Sequence, residues 1–291
     1  MPFELLDIVL PIYLSVGLGA LWARSGRAYD TPLVTELIML IGAPCLVFST
    51  LTDLAVDPAT MVRLALAAVA ALVVLGVLGS LLLAGVRLPR HTYLGPLVFM
   101  NAGNMGLPLC LFAFGDEGLA LGVTFFAVGA LAQFTVGIVL WSGRLSVREV
   151  VRTPLAWAAG LAVLVLVTGT PVPEWLRRTT TVLGGFTIPL MQFTLGVSLA
   201  SLRLGRLPRA FGLAVARFGL GVIVGVALAW AFGLEGVVWN VFVLDCAMPV
   251  AVFNYLLAER YGRSPEDVAG LVVVSTLLSF VTIPALLAWM L

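Results

Sequence analysis

The sequence is poor in the residues from which active sites are usually built. Its 291 residues include one histidine, three cysteines and no lysine, and charged residues make up only 11%. One histidine, His91 at a predicted helix end, provides neither a histidine-based triad nor a metal cluster. An odd number of cysteines, all within apolar runs, argues against a disulfide framework. The sequence has no phosphate-binding glycine loop and no basic aromatic surface, so we expect no enzyme, cofactor, metal site or nucleic-acid partner.

The hydrophobic content is instead far above that of soluble proteins. It reaches 61%, whereas soluble domains have about 45–50% apolar and about 25% charged residues. Because no soluble core buries so much apolar surface, we expect the lipid bilayer to surround most of the chain. A transmembrane helix needs about 20 mainly apolar residues, so the length of the chain allows about ten helices with short connections.

Ten apolar runs, separated by clusters of arginine, glycine and proline, predict these transmembrane helices. We number them 1 to 10 in chain order: 3–23, 34–52, 60–86, 92–114, 118–142, 151–169, 180–201, 209–232, 236–260 and 267–290. Arginines are concentrated in one set of alternate loops: Arg24, Arg27, Arg87, Arg90, Arg144, Arg148, Arg152, Arg203, Arg206, Arg209, Arg260 and Arg263. The other loops hold only Arg63, Arg177 and Arg178. The positive-inside rule then predicts a multi-pass protein of the cell (inner) membrane, with both termini outside the cytoplasm.

The two halves of the sequence share a pattern of prolines. Pro44 in helix 2 recurs 145 residues later as Pro189 in helix 7, and Pro108 in helix 4 recurs 141 residues later as Pro249 in helix 9. An acidic pair precedes helix 5 in the first half and helix 10 in the second. Five helices per half would insert the second copy upside down, and inverted repeats with interrupted helices are typical of secondary transporters. The alternative is a chance match between two apolar sequences.

Helix 4 contains a segment that is a poor helix former. Two glycines, two asparagines and a proline lie within residues 101–108. In a helix interior, glycine is less favourable than alanine by about 1 kcal/mol and proline by about 3 kcal/mol. We expect Pro108 to begin a half-helix whose positive end binds an anion, with Asn101 and Asn104 contacting that anion. The alternative is that the two asparagines only cap the break.

Helix 9 repeats this feature at residues 245–249. Asp245 lies about ten residues, roughly 15 Å, from the outer helix end, and therefore near the bilayer midplane. Ionisable residues at that depth are usually functional, so we expect Asp245 to couple transport to sodium or a proton, or to orient the substrate. The alternative is a carboxylate that caps the second half-helix.

Three further polar side chains are predicted to lie within the membrane. Gln133 in helix 5 is a candidate ligand, and Gln192 in helix 7 is either a ligand or a hydrogen bond between helices. Arg217 in helix 8 either snorkels to the cytoplasmic interface or faces an anion.

The sequence resembles the auxin efflux carrier family, whose prokaryotic members are often called malate permease-like. The likeness extends over essentially the whole chain. It is carried by residues 10–13, by Pro44 with Phe48, by residues 101–108, by Gln133, by residues 247–249, and by Asn254 with Tyr261 and Gly262.

The resemblance implies an all-α membrane protein similar to bile-acid symporters and NhaA-type antiporters. Ten helices would form two inverted five-helix repeats, residues 1–142 and 148–291, in which the broken helices 4 and 9 cross. Helices 1, 2, 6 and 7 would form a scaffold and the site of a homodimer contact, and helices 3–5 and 8–10 a moving, elevator-type transport domain. The expected substrate-binding residues are Asn101, Asn104, Met105, Gly106, Leu107, Gln133, Met248 and Asn254, with helix breaks at Pro108 and Pro249.

The sequence departs from the plant members of that family in two places. Helix 3 has no acid and only Arg63 at its start, and residues 142–152 replace a long regulatory loop. These differences favour a small dicarboxylate, such as a malate-like anion, over auxin. Two rival interpretations stay open: a sodium or proton antiporter or symporter of the same architecture, which would need two acids at the crossing, and a membrane receptor that does not transport.

Overall fold

The regular secondary structure is helical, apart from one isolated bridge, in the residues that the computed structural model describes, which are 2–53, 57–143, 153–202 and 205–291. The α-helices are α1 Pro2–Arg24, α2 Thr31–Leu37, α3 Ala43–Asp53, α4 Pro58–Gly85, α5 Arg90–Val98, α6 Leu107–Ala132, α7 Ile138–Ser142, α8 Pro154–Thr168, α9 Glu174–Gly185, α10 Thr187–Ser201, α11 Leu207–Ala231, α12 Gly236–Cys246, α13 Phe253–Arg260 and α14 Pro265–Met290. Three π-helical turns, Ile38–Gly42, Ala102–Gly106 and Gln133–Gly137, lie between α2 and α3, before α6 and before α7.

Among the described residues, seven helical segments are long and apolar enough to cross a membrane. They are α1, the continuous α2–α3 segment, α4, residues 102–142, the α9–α10 segment, α11 and α14. The helices α8 and α12 are apolar but shorter. The prediction of an all-α protein with many membrane-spanning helices is therefore confirmed by the length and the apolar composition of these helices.

The segment of residues 102–142 reverses its direction at Gly115, whose φ of 67° and ψ of −156° are not helical. A Cβ added to Gly122 would lie 3.0 Å from Cys110 Sγ. In an uninterrupted helix these two residues would be about 18 Å apart along the axis. Residues 107–114 and the helix after Gly115 therefore run side by side. The reversal falls where the sequence predicted the boundary between helices 4 and 5.

One predicted helix start differs clearly from the structure. The helix predicted over 180–201 begins six residues earlier, at Glu174. Arg177 and Arg178 therefore lie in its first turns, where both pair with Glu174, at 2.7 and 2.6 Å. The sequence prediction started each helix at its first apolar run, so it left out these first turns, which contain charged residues. The helices predicted over 92–114 and 236–260 are interrupted at residues 99–101 and 247–252, close to the breaks that the sequence predicted within residues 101–108 and 245–249. The predicted loop arginines 144, 148, 152 and 203 lie outside the described residues.

The helices pack as two groups. In the first group, α1 lies along α10, and α3 packs against α8 and α9. In the second group, α11 packs against α4, α12 and α14, and α6 packs against α4 and α12. Contacts of α6 with α1 and α3 join the two groups.

The pair of α1 and α10 approaches so closely that only glycine fits at the crossing. A Cβ added to Gly19 would fall on the carbonyl oxygen of Phe193, and one added to Gly196 would fall on the carbonyl oxygen of Val16. Both obstacles are backbone atoms of the facing helix, which cannot rotate away as a side chain could. The two glycines therefore set the distance between the helices.

We expect Gly19→Ala to lower the stability of the protein by roughly 1–3 kcal/mol, because overpacking forces the two helices apart. The matched control is Gly17→Ala on the same helix, where an added Cβ meets nothing within 4 Å. That control should leave the stability unchanged or raise it by up to about 1 kcal/mol. Thermal unfolding of both variants in detergent measures the difference, and equal melting temperatures would contradict the expected role of Gly19.

Candidate functional site

Two extended backbone segments interrupt the helical structure and pair with each other. The first break, residues 99–101, separates α5 from the π turn that leads into α6. The second break, residues 247–252, separates α12 from α13. Asn101 N donates to the carbonyl oxygen of Pro249 at 2.8 Å, and Ala251 N donates to that of Phe99 at 3.2 Å. The result is an antiparallel bridge between Met100 and Val250, which satisfies backbone groups that a lipid environment would leave unpaired.

The bridge pairs residues of the two halves at a separation that differs from that of the prolines. Met100 pairs with Val250, 150 residues later, and the same separation relates the acidic pairs at 116–117 and 266–267. Pro249 lies inside the second break, whereas Pro108 is the second residue of α6. The two prolines, which the sequence matched at an offset of 141 residues, therefore occupy different positions relative to their breaks. Both positions suit proline for the same reason, since neither needs its N–H for a helical hydrogen bond, and sequence does not distinguish them.

A cavity of about 790 Å³ adjoins the crossing of the two breaks. Its walls come from α2, the first break and its π turn, α6, α10 and α13. At one end it reaches Asn101, and at the other it reaches Thr31 and Arg260, which stand at helix ends. It thus runs from the middle of the protein to one face, the face that carries Arg24, Arg27, Arg260 and Arg263.

Two buried side-chain amides lie at the inner end of the cavity. Asn101 is 3% exposed, and its Oδ1 accepts a hydrogen bond from Asn104 N at 3.3 Å. Asn101 therefore caps the π turn, but its Nδ2 has no partner among the described residues. The Nε2 of Gln133, another buried lining residue, likewise lacks a partner in the described part of the chain. An amide NH2 only donates, so these groups require an acceptor.

Not every predicted binding residue reaches this cavity. Asn101, Asn104 and Gln133 line it, and Met105, Gly106, Leu107, Met248 and Asn254 do not. The Asn254 Nδ2 instead donates to the carbonyl oxygens of Phe99, at 3.1 Å, and of Ala251, at 3.0 Å, so this amide ties the two breaks together. Met105 packs against α14, where its sulfur accepts from Ser279 Oγ at 3.9 Å.

Asp245 is completely buried and lies beside the cavity rather than in it. Its Oδ2 is 4.0 Å from Cys110 Sγ, and its Oδ1, which has no partner among the described residues, lies where a Cβ of Gly106 would be. Asp245 belongs to the last turn of α12, and no side chain caps the start of α13. The interpretation of Asp245 as a cap of the second half-helix is therefore wrong.

Arg217 also differs from its expected position. Its side chain is 1% exposed, and its Nη1 donates to the carbonyl oxygen of Cys246 at 3.1 Å. The guanidinium thus stays inside the protein, which contradicts snorkelling. It does not line the large cavity either. The remaining amide, Gln192, is buried on α10 outside that cavity.

Sequence reasoning missed most of the apolar wall of the cavity. On α6 and the following π turn, the lining residues are Phe126, Gly129, Ala130, Gln133 and Phe134. Their spacing of three and four residues places them on one face of the helix, and this periodicity could have identified them. The facing hydroxyls of Thr194 and Ser198 on α10 show the same spacing of four residues.

Comparison with known proteins places the chain among transporters. Residues 140–287 match the family model described as "Membrane transport protein". An uncharacterized transporter of Methanocaldococcus jannaschii is 24% identical, with 98% of each chain covered. A second, from Methanothermobacter thermautotrophicus, is 28% identical over 64% of this chain and 63% of its own. A Rhizobium meliloti protein named "Putative malonate transporter" is 26% identical over 98% of this chain and 95% of its own.

The geometry predicts which positions a charged thiol reagent reaches. Cys110 and Cys246 are completely buried and do not line the cavity. Gly129 lines the cavity, and a side chain added there meets nothing within 4 Å. With Cys45 replaced by serine, we expect Gly129→Cys to be labelled in membranes and Cys110 and Cys246 to stay unlabelled. Labelling of the background protein, or none of Gly129→Cys, would contradict this placement.

Proposed function

The chain belongs to the membrane transport protein family that includes the auxin efflux carriers, and on this premise we propose that it is a secondary transporter for a small organic anion. It is a multi-pass membrane transporter and not an enzyme, since the family and the relatives named above are transporters. The proposed mechanism is alternating access, in which the substrate site opens to one side of the membrane at a time.

The unpaired amide donors at the inner end of the cavity carry this proposal. Asn101 Nδ2 and Gln133 Nε2 lie buried without partners in the described structure, and leaving a buried donor unsatisfied costs about 1–3 kcal/mol. The π turn beginning at Ala102 also lines the cavity, and the first N–H groups of a helix have no partner within it. Donors and a positive helix end together favour an anion, and a carboxylate would satisfy both.

The walls of the cavity restrict the rest of the substrate. Met39, Phe126, Phe134, Met191 and Phe253 give it a largely apolar surface. At its outer end stand one basic residue, Arg260, and two acidic ones, Glu36 and Glu259. We propose a small carboxylate such as malonate or malate, because one relative carries the name of a malonate transporter. An auxin-like carboxylate is the second candidate.

We further propose that the chain has ten membrane crossings in two inverted repeats, residues 1–142 and 148–291. The 150-residue separation of the paired breaks supports a repeat, and the reversal at Gly115 supports separate fourth and fifth crossings. The first packing group, which contains α1, α3, α8, α9 and α10, would be the scaffold and homodimer surface. The second group would be the elevator-type transport domain.

The proposed orientation follows from the arginines. If the arginine-rich face is cytoplasmic, both termini lie outside, and the cavity that reaches Arg260 opens toward the cytoplasm. The conformation would then be inward-facing, in the cell membrane.

Asp245 is the proposed coupling residue. A carboxylate at the bilayer centre costs about 2.5–3.5 kcal/mol on insertion scales, and its position beside the first break would transmit a change of charge to the binding site.

A sodium or proton antiporter or symporter of the same architecture stays the runner-up. The cavity favours anion transport over that alternative, because its inner end offers donors and its lining has acids only at the outer end. A receptor that does not transport would bind the anion without moving it.

The donor role of Gln133 is tested by Gln133→Met, which keeps the length of the side chain and removes the NH2 group. Binding should weaken by about 1–3 kcal/mol, or about 5- to 150-fold, because a substrate acceptor loses its partner. The matched control is Gln192→Met, since Gln192 Nε2 is also buried without a described partner but lies outside the cavity. Malonate and malate titrations followed by thermal stabilisation measure affinity. Equal effects of the two variants would remove Gln133 from the site.

The coupling role of Asp245 is tested by Asp245→Asn, which keeps the shape of the side chain and removes its charge. We expect the variant to bind substrate and to exchange labelled for unlabelled substrate across proteoliposomes. It should lose accumulation driven by a pH or sodium gradient. Wild-type proteoliposomes with and without the gradient provide the control. If gradient-driven uptake survives in Asp245→Asn, the ion or proton is coupled elsewhere.

A further inference from the structure

The second break is accompanied by a buried arginine that has no counter-ion. Arg217 donates only to the carbonyl oxygen of Cys246, the last residue of α12. Its Nε and Nη2 have no hydrogen-bond partner, and it forms no ion pair with a carboxylate, among the described residues. Arginine stays charged in proteins, and an isolated buried charge is strongly unfavourable. Something other than a carboxylate must therefore stabilise this charge.

Two glycines bring the guanidinium to the end of α12. A Cβ on Gly221 would fall on the carbonyl oxygen of Cys246 and lie 2.7 Å from Arg217 Nη1. A Cβ on Gly225 would lie 3.0 Å from Cys246 Cβ and 3.2 Å from Val243 Cα. Any larger residue would push α11 away from α12. The contact between Arg217 and Cys246 thus depends on this close helix packing.

The surroundings of the guanidinium are those that a bound cation would need. The carboxyl end of a helix carries about half a negative charge, because its last carbonyl groups lack partners. Beside Arg217 lies a small cavity of about 10 Å³, to which Ser275, Ser279 and Thr282 contribute. Carbonyl and hydroxyl oxygens around the end of a half-helix are the kind of ligands by which transporters with broken helices hold sodium.

In the first half of the chain, the carboxyl end of the corresponding half-helix is stabilised by neutral hydrogen-bond donors and not by a charge. At the end of α5, the carbonyl oxygen of Phe99 accepts hydrogen bonds from Ala251 N and from Asn254 Nδ2. The residue 150 positions before Arg217 is Ala67, a buried alanine of α4. The positive charge is thus specific to the second break, where the side chain reaches across from a neighbouring helix.

We propose that Arg217 is a built-in cation that takes the place of a bound sodium ion at the carboxyl end of α12. The guanidinium offsets the negative end of the half-helix, and the helix end in turn stabilises the buried guanidinium. Arg217 is therefore a positioning residue, which acts on the site through the second break. Its consequence for coupling is that Asp245 would respond to a proton rather than to sodium. This consequence rests on the proposed transport function, whereas the electrostatic role of Arg217 does not.

The test is chemical rescue of purified Arg217→Ala, followed by thermal unfolding. The melting temperature should fall by on the order of 5–10 °C, because the end of α12 loses its only described positive partner. Millimolar guanidinium chloride, far below denaturing concentrations, should restore at least half of this loss, since a ligand that binds the vacated space stabilises the folded state. Potassium chloride at the same ionic strength should not. Wild-type protein should melt at the same temperature in sodium and in N-methylglucamine salts.

Further variants separate a specific effect from general damage. Arg209→Ala, at the other described arginine within α11, should show no rescue by guanidinium, because Arg209 lies partly exposed beside Tyr93. Gly221→Ala should destabilise the protein without rescue, since the guanidinium is still present but displaced. If Arg217→Ala does not fold, Arg217→Lys, which keeps the charge, should fold and be only partly destabilised.

Three results would overturn the proposal: wild-type stability in Arg217→Ala, rescue no greater than that by potassium chloride, or stabilisation of wild type by sodium over N-methylglucamine. None of these readouts requires a transported substrate. Failure to find an organic anion that binds or moves would count against the proposed function alone.

Discussion

The structure depends on the backbone hydrogen bonds that join the two breaks. Unpaired N–H and C=O groups are so unfavourable in lipid that an interrupted helix survives only if its free backbone groups find partners inside the protein. Here each break supplies partners to the other, through Asn101 N with Pro249 O and Ala251 N with Phe99 O. Because each break needs the other, neither helix can be interrupted alone. The Asn254 side chain strengthens the pairing by donating to the carbonyl oxygen of Phe99 as well.

The polar groups at the crossing divide into two kinds. Asn101 N, Ala251 N and Asn254 Nδ2 donate across the crossing to backbone carbonyl oxygens and so join the two breaks. Others, among them Asn101 Nδ2, Asp245 Oδ1 and Asn254 Oδ1, are buried without a described partner. The Asn101 carbonyl oxygen and Oδ1 cap the π turn, and its NH2 group takes no part in that cap. The proposed ligand contact would use the NH2 group, so the capping role does not exclude it.

The sequence was informative where the signal is local. Apolar length predicted the helical membrane protein, and glycine, asparagine and proline within residues 101–108 predicted a break, since each acts on its own stretch of backbone. The pairing register was not accessible, because it joins residues 150 positions apart and prolines suit several places near a break. The start of the helix at Glu174 was hidden by charged residues that pair with one another at its first turns. Arg217 could not be placed, since its position depends on glycines that bring α11 against α12.

Each break donates one backbone hydrogen bond to the other, but the charged side chains at the crossing all come from the second half of the chain. Asp245 and Arg217 both belong to the second half, and the residues 150 positions earlier are Gly95 and Ala67. Asp245 faces Cys110 and Gly106, at the first half-helix, and Arg217 faces the carbonyl end of α12. They are not paired with each other among the described ion pairs. The second half therefore contributes one acidic and one basic side chain at the crossing, whereas the two amides at the inner end of the cavity, Asn101 and Gln133, are neutral. In such an arrangement, an anionic ligand would contact only neutral amide dipoles, and the charges at the crossing would stay the same. A change in the charge of Asp245 would instead alter the net charge of the crossing itself.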